Sequence, residues 1–574
     1  MKRALYWLTL LIAALVVGYY AGTVLWYAYD FPYMDDYPVV VDFLNRLPAA
    51  TSVGEKVALL MEQNNFHRLV LAKGLAWANV LLTGSVDFRV LQYVGLLFLL
   101  LTAWLLWRST EAPASVVSNT SLTTEAGASV LPSLPVLFLL FQFQGWNIAF
   151  WSIVAVSNVG APALALLAFF LANRQREGWA VVVGLVALFT NGNGILVLPL
   201  LAVCWALQLR WRWVLATAAV TIPALLFYFQ NYQNPAGSAI SALFSPAKIG
   251  HPLALDTAFL GALVYHPAVP WLPILLGILT IIWTIYLLRI RFDRQNPTLF
   301  WLLIFLHLSG LMLAVNRIQN DTSIVFASRY RNITALHMAA VYLTMVAVLV
   351  RYNARWQSRR AVNWFVGTAT LATAGLWLVS NITYHSKIVR FQELKQTDNL
   401  LWQRYGQIRA SAPQYRPVQH LQQLALRGIF KPETASLASL QSRPVVIVPT
   451  ATPGDSLVYG IDIQLIDAGY LVISGWAKVA GRKANFNDTF VGIQTPAGWQ
   501  YYTTLFHQRL DKADSANDKD TGFTAIIPYK GTMPTVAIFV KSGRSSALHL
   551  CQPSASFQPV GAANAFHGKT SGRF

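Results

Sequence analysis

The chain has 574 residues, 55% of them hydrophobic and only 12% charged, with a mean hydropathy of +0.46. A soluble globular chain carries about 25% charged residues, so the composition excludes an ordinary soluble enzyme and indicates a polytopic membrane protein with length left over for a soluble part. The net charge of +19 does not indicate a nucleic-acid partner, because many basic residues close apolar segments, as in Arg210-Trp211-Arg212, Arg289-Ile290-Arg291 and Arg359-Arg360. Those are topology signals rather than a phosphate-binding stripe.

In chain order, Met1-Lys2-Arg3 precedes an apolar run to about Tyr29. The run is too long for a signal-peptide core and lacks a clear small-residue cleavage site, so a retained signal anchor is expected. A span needs about 20 apolar residues. Segments 5–28, 88–107, 147–172, 212–230, 269–290, 298–316, 332–350 and 362–380 meet that requirement. Two weaker pieces, 132–144 and 179–190, end in the polar tips Gln142-Phe143-Gln144-Gly145-Trp146-Asn147 and Thr190-Asn191-Gly192-Asn193-Gly194, and the chain is apolar again over 195–209. They predict broken helical hairpins, tolerated where backbone lines a polar cavity. The expected fold is a polytopic α-helical membrane domain of about 9–11 spans or half-spans. Cys204 in an apolar run and Cys551 near the C-terminus are not expected to pair.

The basic residues agree on one orientation. Lys2-Arg3, Arg108, Arg174, Arg176, Arg210, Arg212, Arg289, Arg291, Arg294 and the Arg351–Arg360 stretch all fall on the cytoplasmic side. Residues 30–85, both polar tips, 231–268, 317–331 and everything after 381 are then extracytoplasmic. The expected location is the cytoplasmic (inner) membrane, multi-pass, with the lipid bilayer as an obligatory partner.

Four domains are expected: a membrane domain over 1–385, a polar helical connector over 386–442, a β-sandwich over 443–560 and a disordered tail over 561–574. The sandwich rests on short β-type runs such as Val445–Val448, Tyr470–Ser474, Phe490–Gln494, Thr524–Ile527 and Thr535–Val540, separated by turn residues. Trp476, in a Gly-Trp-Ala strand, suits either a sugar platform or the core. Asp511, Asp514, Asp518 and Asp520 lack the terminal Glu of an EF-hand loop.

Chemistry converges on the outer side. Asp30, Asp35 and Asp36 lie within seven residues at the mouth of the first span. Carboxylates near lipid usually face protein or water and have a task. Asp35 and Asp36 suit a general base, a group orienting a substrate hydroxyl, or a pair of metal ligands; the competing reading is a helix cap or a solvated loop. In the next segment a helix would put Glu62, Asn65 and Arg68 on one face. Arg68 and Lys73, beside His67, suit a phosphate. Arg317, Arg329 and Arg331 run against the positive-inside trend, with Asp321 and Tyr330 between or beside them, and suit a lipid-linked phosphate or diphosphate. Gln144, Asn147, Asn191 and Asn193 offer amides for sugar hydroxyls; the competing role is to satisfy broken helix ends. His251, His266 and Asp256 fall in the 231–268 loop without His-x-x-x-His spacing, so histidine metal ligation is not expected.

An Asp-Asp pair after the first span, Asn64-Asn65-Phe66-His67-Arg68 before the second, the asparagine-rich break at 191–194 and Ser328-Arg329-Tyr330 before a late span together resemble bacterial GT-C membrane glycosyltransferases over residues 1–385. Many members have Glu-His-Arg where Phe66 stands here before His67. The resemblance implies an inverting transfer from a polyprenyl-phosphate sugar donor to a glycan, lipid or protein acceptor. It implies Asp35 or Asp36 as the catalytic base and Arg68, Lys73 and Arg329 as donor-phosphate ligands. No cofactor is required by the sequence; a divalent cation (Mg or Mn) at Asp35 and Asp36 stays open. Two alternatives carry different expectations. A lipid-linked glycan transporter or flippase should show internal repeats, and none is evident. A non-enzymatic envelope glycan assembly protein should tolerate loss of the Asp pair.

Overall fold

The computed structural model describes residues 2–110, 133–233, 250–316, 322–356, 359–409, 417–446, 457–481, 488–509, 520–541 and 548–550. Among them, eight helices are long and apolar enough to cross a membrane: Tyr6–Tyr27, Phe88–Thr110, Ser152–Asn173, Trp211–Phe229, Leu272–Arg289, Pro297–Asn316, Ser328–Arg351 and Arg360–Tyr405. They coincide with the eight expected segments. The last runs on as continuous helix well past the expected 380. The fold class is thus a polytopic helical membrane protein with a C-terminal antiparallel β region.

The helices divide by what they bury. Ser152–Asn173 is central, with 83% of its apolar window buried, and its Gly160, Ala161, Ala163, Ala165 and Ala168 are small enough to admit neighbouring helices closely. At its start, a Cβ on Gly95 would lie 2.6 Å from the Ala155 Cβ. Trp211–Phe229 has only 17% of its window buried and turns Leu215, Ile222 and Leu226 outward, as a lipid-facing helix does.

Both weaker segments are short helices ended by a break. Leu134–Leu140 stops at Phe141, and Gln142 takes an extended conformation. The Gln142 Oε1 accepts from the Gln144 N–H at 2.6 Å and from the Ser380 hydroxyl at 2.7 Å. That amide thus serves backbone released by the break. Glu177–Leu188 ends similarly, and Val197–Leu207 follows after Asn191-Gly192-Asn193-Gly194. Gly194 is obligatory there, since a Cβ would lie 1.8 Å from the Ala187 carbonyl oxygen.

The chain forms two compact units: residues 1–389 with 423–431, and 390–422 with 432–574. The expected 386–442 connector is therefore shared between them. Its Gln423–Lys431 segment belongs to the helical unit, where Ile429 O accepts from Val86 N–H at 2.7 Å and Arg427 donates to Asn45 O at 2.9 Å. Phe430, 1% exposed, packs its ring against Phe31 and Phe88.

In the second unit the strands are β1 (Pro444–Val445), β2 (Leu457–Asp467), β3 (Tyr470–Val479), β4 (Asp488–Thr495), β5 (Gly498–Thr503), β6 (Leu505–His507), β7 (Gly522–Pro528), β8 (Val536–Lys541) and β9 (Leu548–Leu550). They pair antiparallel in two sheets, ordered β1-β5-β4-β8-β9 and β2-β3-β7-β6. Alternation places Leu471, Ile473, Phe523, Val491 and Ile538 in one core between the sheets. On the opposite face of β3, Val472 packs with Leu400 and Leu401 from the end of the long helix. Trp476 shares that outer register. It is half-buried and lies across Gly460, where a Cβ would approach its Nε1 to 2.6 Å, so it is not part of the inter-sheet core. Asp511, Asp514, Asp518, Cys551 and the expected tail lie outside the described residues; Asp520 accepts from Gln508 at 2.9 Å.

Candidate functional site

The three carboxylates after the first span have three different settings. Asp30 is buried, and its Oδ1 accepts from the Phe88 N–H at 2.8 Å, capping the Phe88–Thr110 helix. Asp36 is fully buried. Its Oδ2 accepts from the Tyr33 N–H at 2.9 Å and its Oδ1 from the Ile153 N–H at 3.0 Å. The second bond caps the start of the central helix from across the fold, where free N–H groups and the helix dipole favour a negative charge. Asp35 is half-buried and within electrostatic reach of Arg329. Met34, with φ of +44°, turns the chain so that adjacent carboxylates point to different tasks. Such strain in a non-glycine residue is typical of functional loops.

The segment expected as a helix over residues 62–73 is a turn followed by a helix. The preceding helix Val53–Met61 ends at Glu62, and the next begins only at Val70. Asn64 and His67 exchange backbone bonds of 2.8 and 2.9 Å around Asn65, whose φ is +50°. Asparagine tolerates that left-handed conformation, so the shared face of Glu62, Asn65 and Arg68 does not form. Glu62 pairs with Arg46 at 2.7 Å on the surface. Arg68 is buried, donates to the carbonyls of Met61 and Gln230, and stacks over Tyr228. Lys73 is also buried and donates to Leu59 O at 2.9 Å and Glu62 O at 3.1 Å. These cations hold loop backbone. Among the described residues, Arg329 is the expected cation within electrostatic reach of Asp35, and it lies over the Tyr330 ring at 5.2 Å from its centroid.

A cavity of about 230 Å³ opens beside Tyr330. Four asparagines line it: Asn158, Asn191, Asn193 and Asn316, together with His67, Tyr232 and Ser309. Phe229, Phe259, Met312 and Leu313 supply apolar wall. The amides are interlocked. Asn158 donates to Arg329 O at 2.9 Å, Asn191 donates to Asn158 Oδ1 at 3.0 Å, and Asn193 donates to Ser309 Oγ at 3.4 Å. The Asn-Gly-Asn-Gly sequence makes this possible. A Cβ on Gly192 would meet His67 Nδ1 at 2.5 Å, so glycine lets His67 close onto the break while both asparagines face inward. The central helix carries a π-turn over Ala155–Val159, which includes Asn158; such turns recur at functional sites.

Of the expected site residues, the fold brings together His67, Asn191, Asn193 and Tyr330 at the cavity, with Arg329 linked to it through Asn158 and within electrostatic reach of Asp35. Gln144 and Asn147 lie beside this group, since Gly145 between them rests on the Ser328 carbonyl. Glu62 pairs with Arg46, Asn65 donates to Asn64, Lys73 holds the Leu59 and Glu62 carbonyls, and Arg68 holds those of Met61 and Gln230. Arg317 and Asp321 lie outside the described residues. Asp256, expected in a loop, is a buried residue of the helix Gly250–Leu260, facing Gly310. Sequence reasoning missed Asn158, Tyr232, Ser309 and Asn316. Asn158 stands alone in an apolar run, a detectable signal, but nothing in the spacing ties it to residues 191 or 316.

Each Asp36 oxygen accepts one backbone N–H, and no group of three His, Cys, Asp or Glu side chains suited to a metal occurs among the described residues. Comparison with protein-family models, with curated proteins and with solved structures finds no match for this chain.

Proposed function

We propose that this protein is a membrane glycosyltransferase that moves a sugar from a polyprenyl-phosphate donor to an envelope glycan, lipid or protein acceptor on the extracytoplasmic face. The observation that carries the reading is that Asp35 lies within electrostatic reach of Arg329, whose backbone carbonyl accepts from Asn158 in the lining of an amide-rich cavity. The distribution of Lys and Arg supports an outer position for this site, and the GT-C-like order of motifs over residues 1–385 agrees with it.

In this mechanism the Asp35 carboxylate takes the proton of the acceptor hydroxyl. The acceptor oxygen attacks the anomeric carbon, the bond from that carbon to the phosphate oxygen breaks with inversion, and the electron pair leaves on the phosphate. Arg329 compensates the charge that develops there. Asp36 acts as a positioning residue by holding the loop against the central helix. The test is sugar transfer by the full chain reconstituted in liposomes with a panel of polyprenyl-phosphate sugars. Asp35→Asn abolishes transfer while the protein stays folded; a variant that transfers sugar at the wild-type rate sinks the proposal.

A further inference from the structure

We infer that the cavity selects an uncharged glycosyl group and rejects one bearing a carboxylate, with Asn193 as the residue that sets this preference. The inference rests on the sugar-transfer reading and narrows its substrate class. The polar lining of the cavity among the described residues consists of amides, hydroxyls and His67, with no Asp, Glu, Lys or Arg. The nearby cations are directed elsewhere. Arg68 serves the Met61 and Gln230 carbonyls, Arg331 donates to Phe326 O at 3.2 Å and lies over Tyr265, and Arg329 lies over the Tyr330 ring within electrostatic reach of Asp35. A carboxylate entering here would lose water without gaining a counter-charge from the described residues.

Asn193 adds direction to this neutrality. Its Nδ2 is spent on Ser309, whereas its Oδ1 is buried and has no hydrogen-bond partner. A buried acceptor of this kind is satisfied by a donor, and a sugar hydroxyl is an uncharged donor of the right type. The apolar wall around Phe259 and Met312 suits the C–H face of a pyranose ring. The phosphate then stays outside the cavity, at Arg329, and the two halves of the donor are recognised by different chemistry.

The test compares polyprenyl-phospho-glucose with polyprenyl-phospho-glucuronate as donors to the reconstituted full chain. The wild type favours the neutral donor in kcat/KM by about a hundredfold or more, as expected where a mismatched group leaves buried polar atoms unpaired. Asn193→Ser, whose hydroxyl can donate to a carboxylate where the Asn193 Oδ1 only accepts, narrows the bias against glucuronate by about tenfold or more; an unchanged ratio overturns the assignment to Asn193. Equal wild-type rates with the glucose and glucuronate donors overturn the inference and leave the transfer reading standing. If no donor supports transfer, that reading fails and a binding arm decides this one. Methyl glucoside at millimolar concentration raises the thermal midpoint and methyl glucuronate does not. Stabilisation by both, or by neither, overturns it.

Discussion

Asp35 and Asp36 are neighbours in sequence, and their exchange for other residues separates chemistry from structure. Asp36 is fully buried, and each of its carboxylate oxygens accepts one backbone N–H, from Tyr33 and from Ile153. Asp36→Ala leaves both donors buried without that acceptor, at about 1–3 kcal/mol each, or roughly 2–6 kcal/mol in all. Asp35 is half-buried and within electrostatic reach of Arg329, and Asp35→Asn keeps the shape and removes the charge. Loss of a general base lowers the rate by about a hundredfold to ten-thousandfold, equivalent to about 3–5 kcal/mol in the barrier. The assays are equilibrium unfolding in detergent and initial transfer rates in liposomes, on both variants. Asp36→Ala lowers the unfolding midpoint, and Asp35→Asn lowers the rate with an unchanged midpoint. The reasoning is refuted if Asp36→Ala unfolds within about 0.5 kcal/mol of wild type while losing transfer, because Asp36 would then be the base.

Three further outcomes are expected. Phe430→Ala removes a ring buried against Phe31 and Phe88 and destabilises the helical unit by about 3–5 kcal/mol; a loss under about 1 kcal/mol, measured by unfolding, would remove residues 423–431 from that core. Gly194→Ala forces a Cβ to within 1.8 Å of the Ala187 carbonyl, so the break must move. Both the thermal midpoint and transfer fall, by at least the roughly 1–3 kcal/mol typical of overpacking. Asp256 lies in the short helix Gly250–Leu260, outside the eight spans, and burial raises its carboxyl from 3.8 to about 7. A raised acid favours the protonated folded state, so this contribution is full below about pH 4 and is lost as pH rises to about 7, a change of roughly 4 kcal/mol. The difference in unfolding free energy between wild type and Asp256→Asn, followed across that range, shows this slope; a flat difference refutes it.

Much of the architecture was legible because its signals are local. Twenty apolar residues in a row specify a span wherever they occur, and all eight expected spans are found. Alternating β-type runs foretold β3, β4, β7 and β8. The run at Val445–Val448 overlaps β1, while β2, β5, β6 and β9 were not among the named runs; in β2 the apolar pattern is interrupted by Gly460, Asp462 and Gln464 and carries a bulge between Ile461 and Ile463. The span expected over 362–380 and the start of the helical connector expected from 386 are one continuous helix, because a change from apolar to polar side chains does not by itself end a helix. Residues from Asn381 onward stay helical as far as Tyr405, with polar side chains. The Asn-Gly-Asn-Gly break was visible for the same local reason, as glycine and asparagine punctuate a helix.

What a carboxylate or cation does depends on atoms far away in the chain. Asp35 and Asp36 are chemically identical, and only the arrival of Ile153 at one and Arg329 at the other distinguishes them. Arg68 and Lys73 have the composition of a phosphate clamp, yet carbonyls of their own loop and of Gln230 engage them. Local sequence is enough to make this a helical membrane protein with a β region, because hydrophobic length and alternation act residue by residue. Which polar groups meet at the cavity is settled only by packing, because buried hydrogen bonds and charges take their partners from whatever the assembled helices bring within reach.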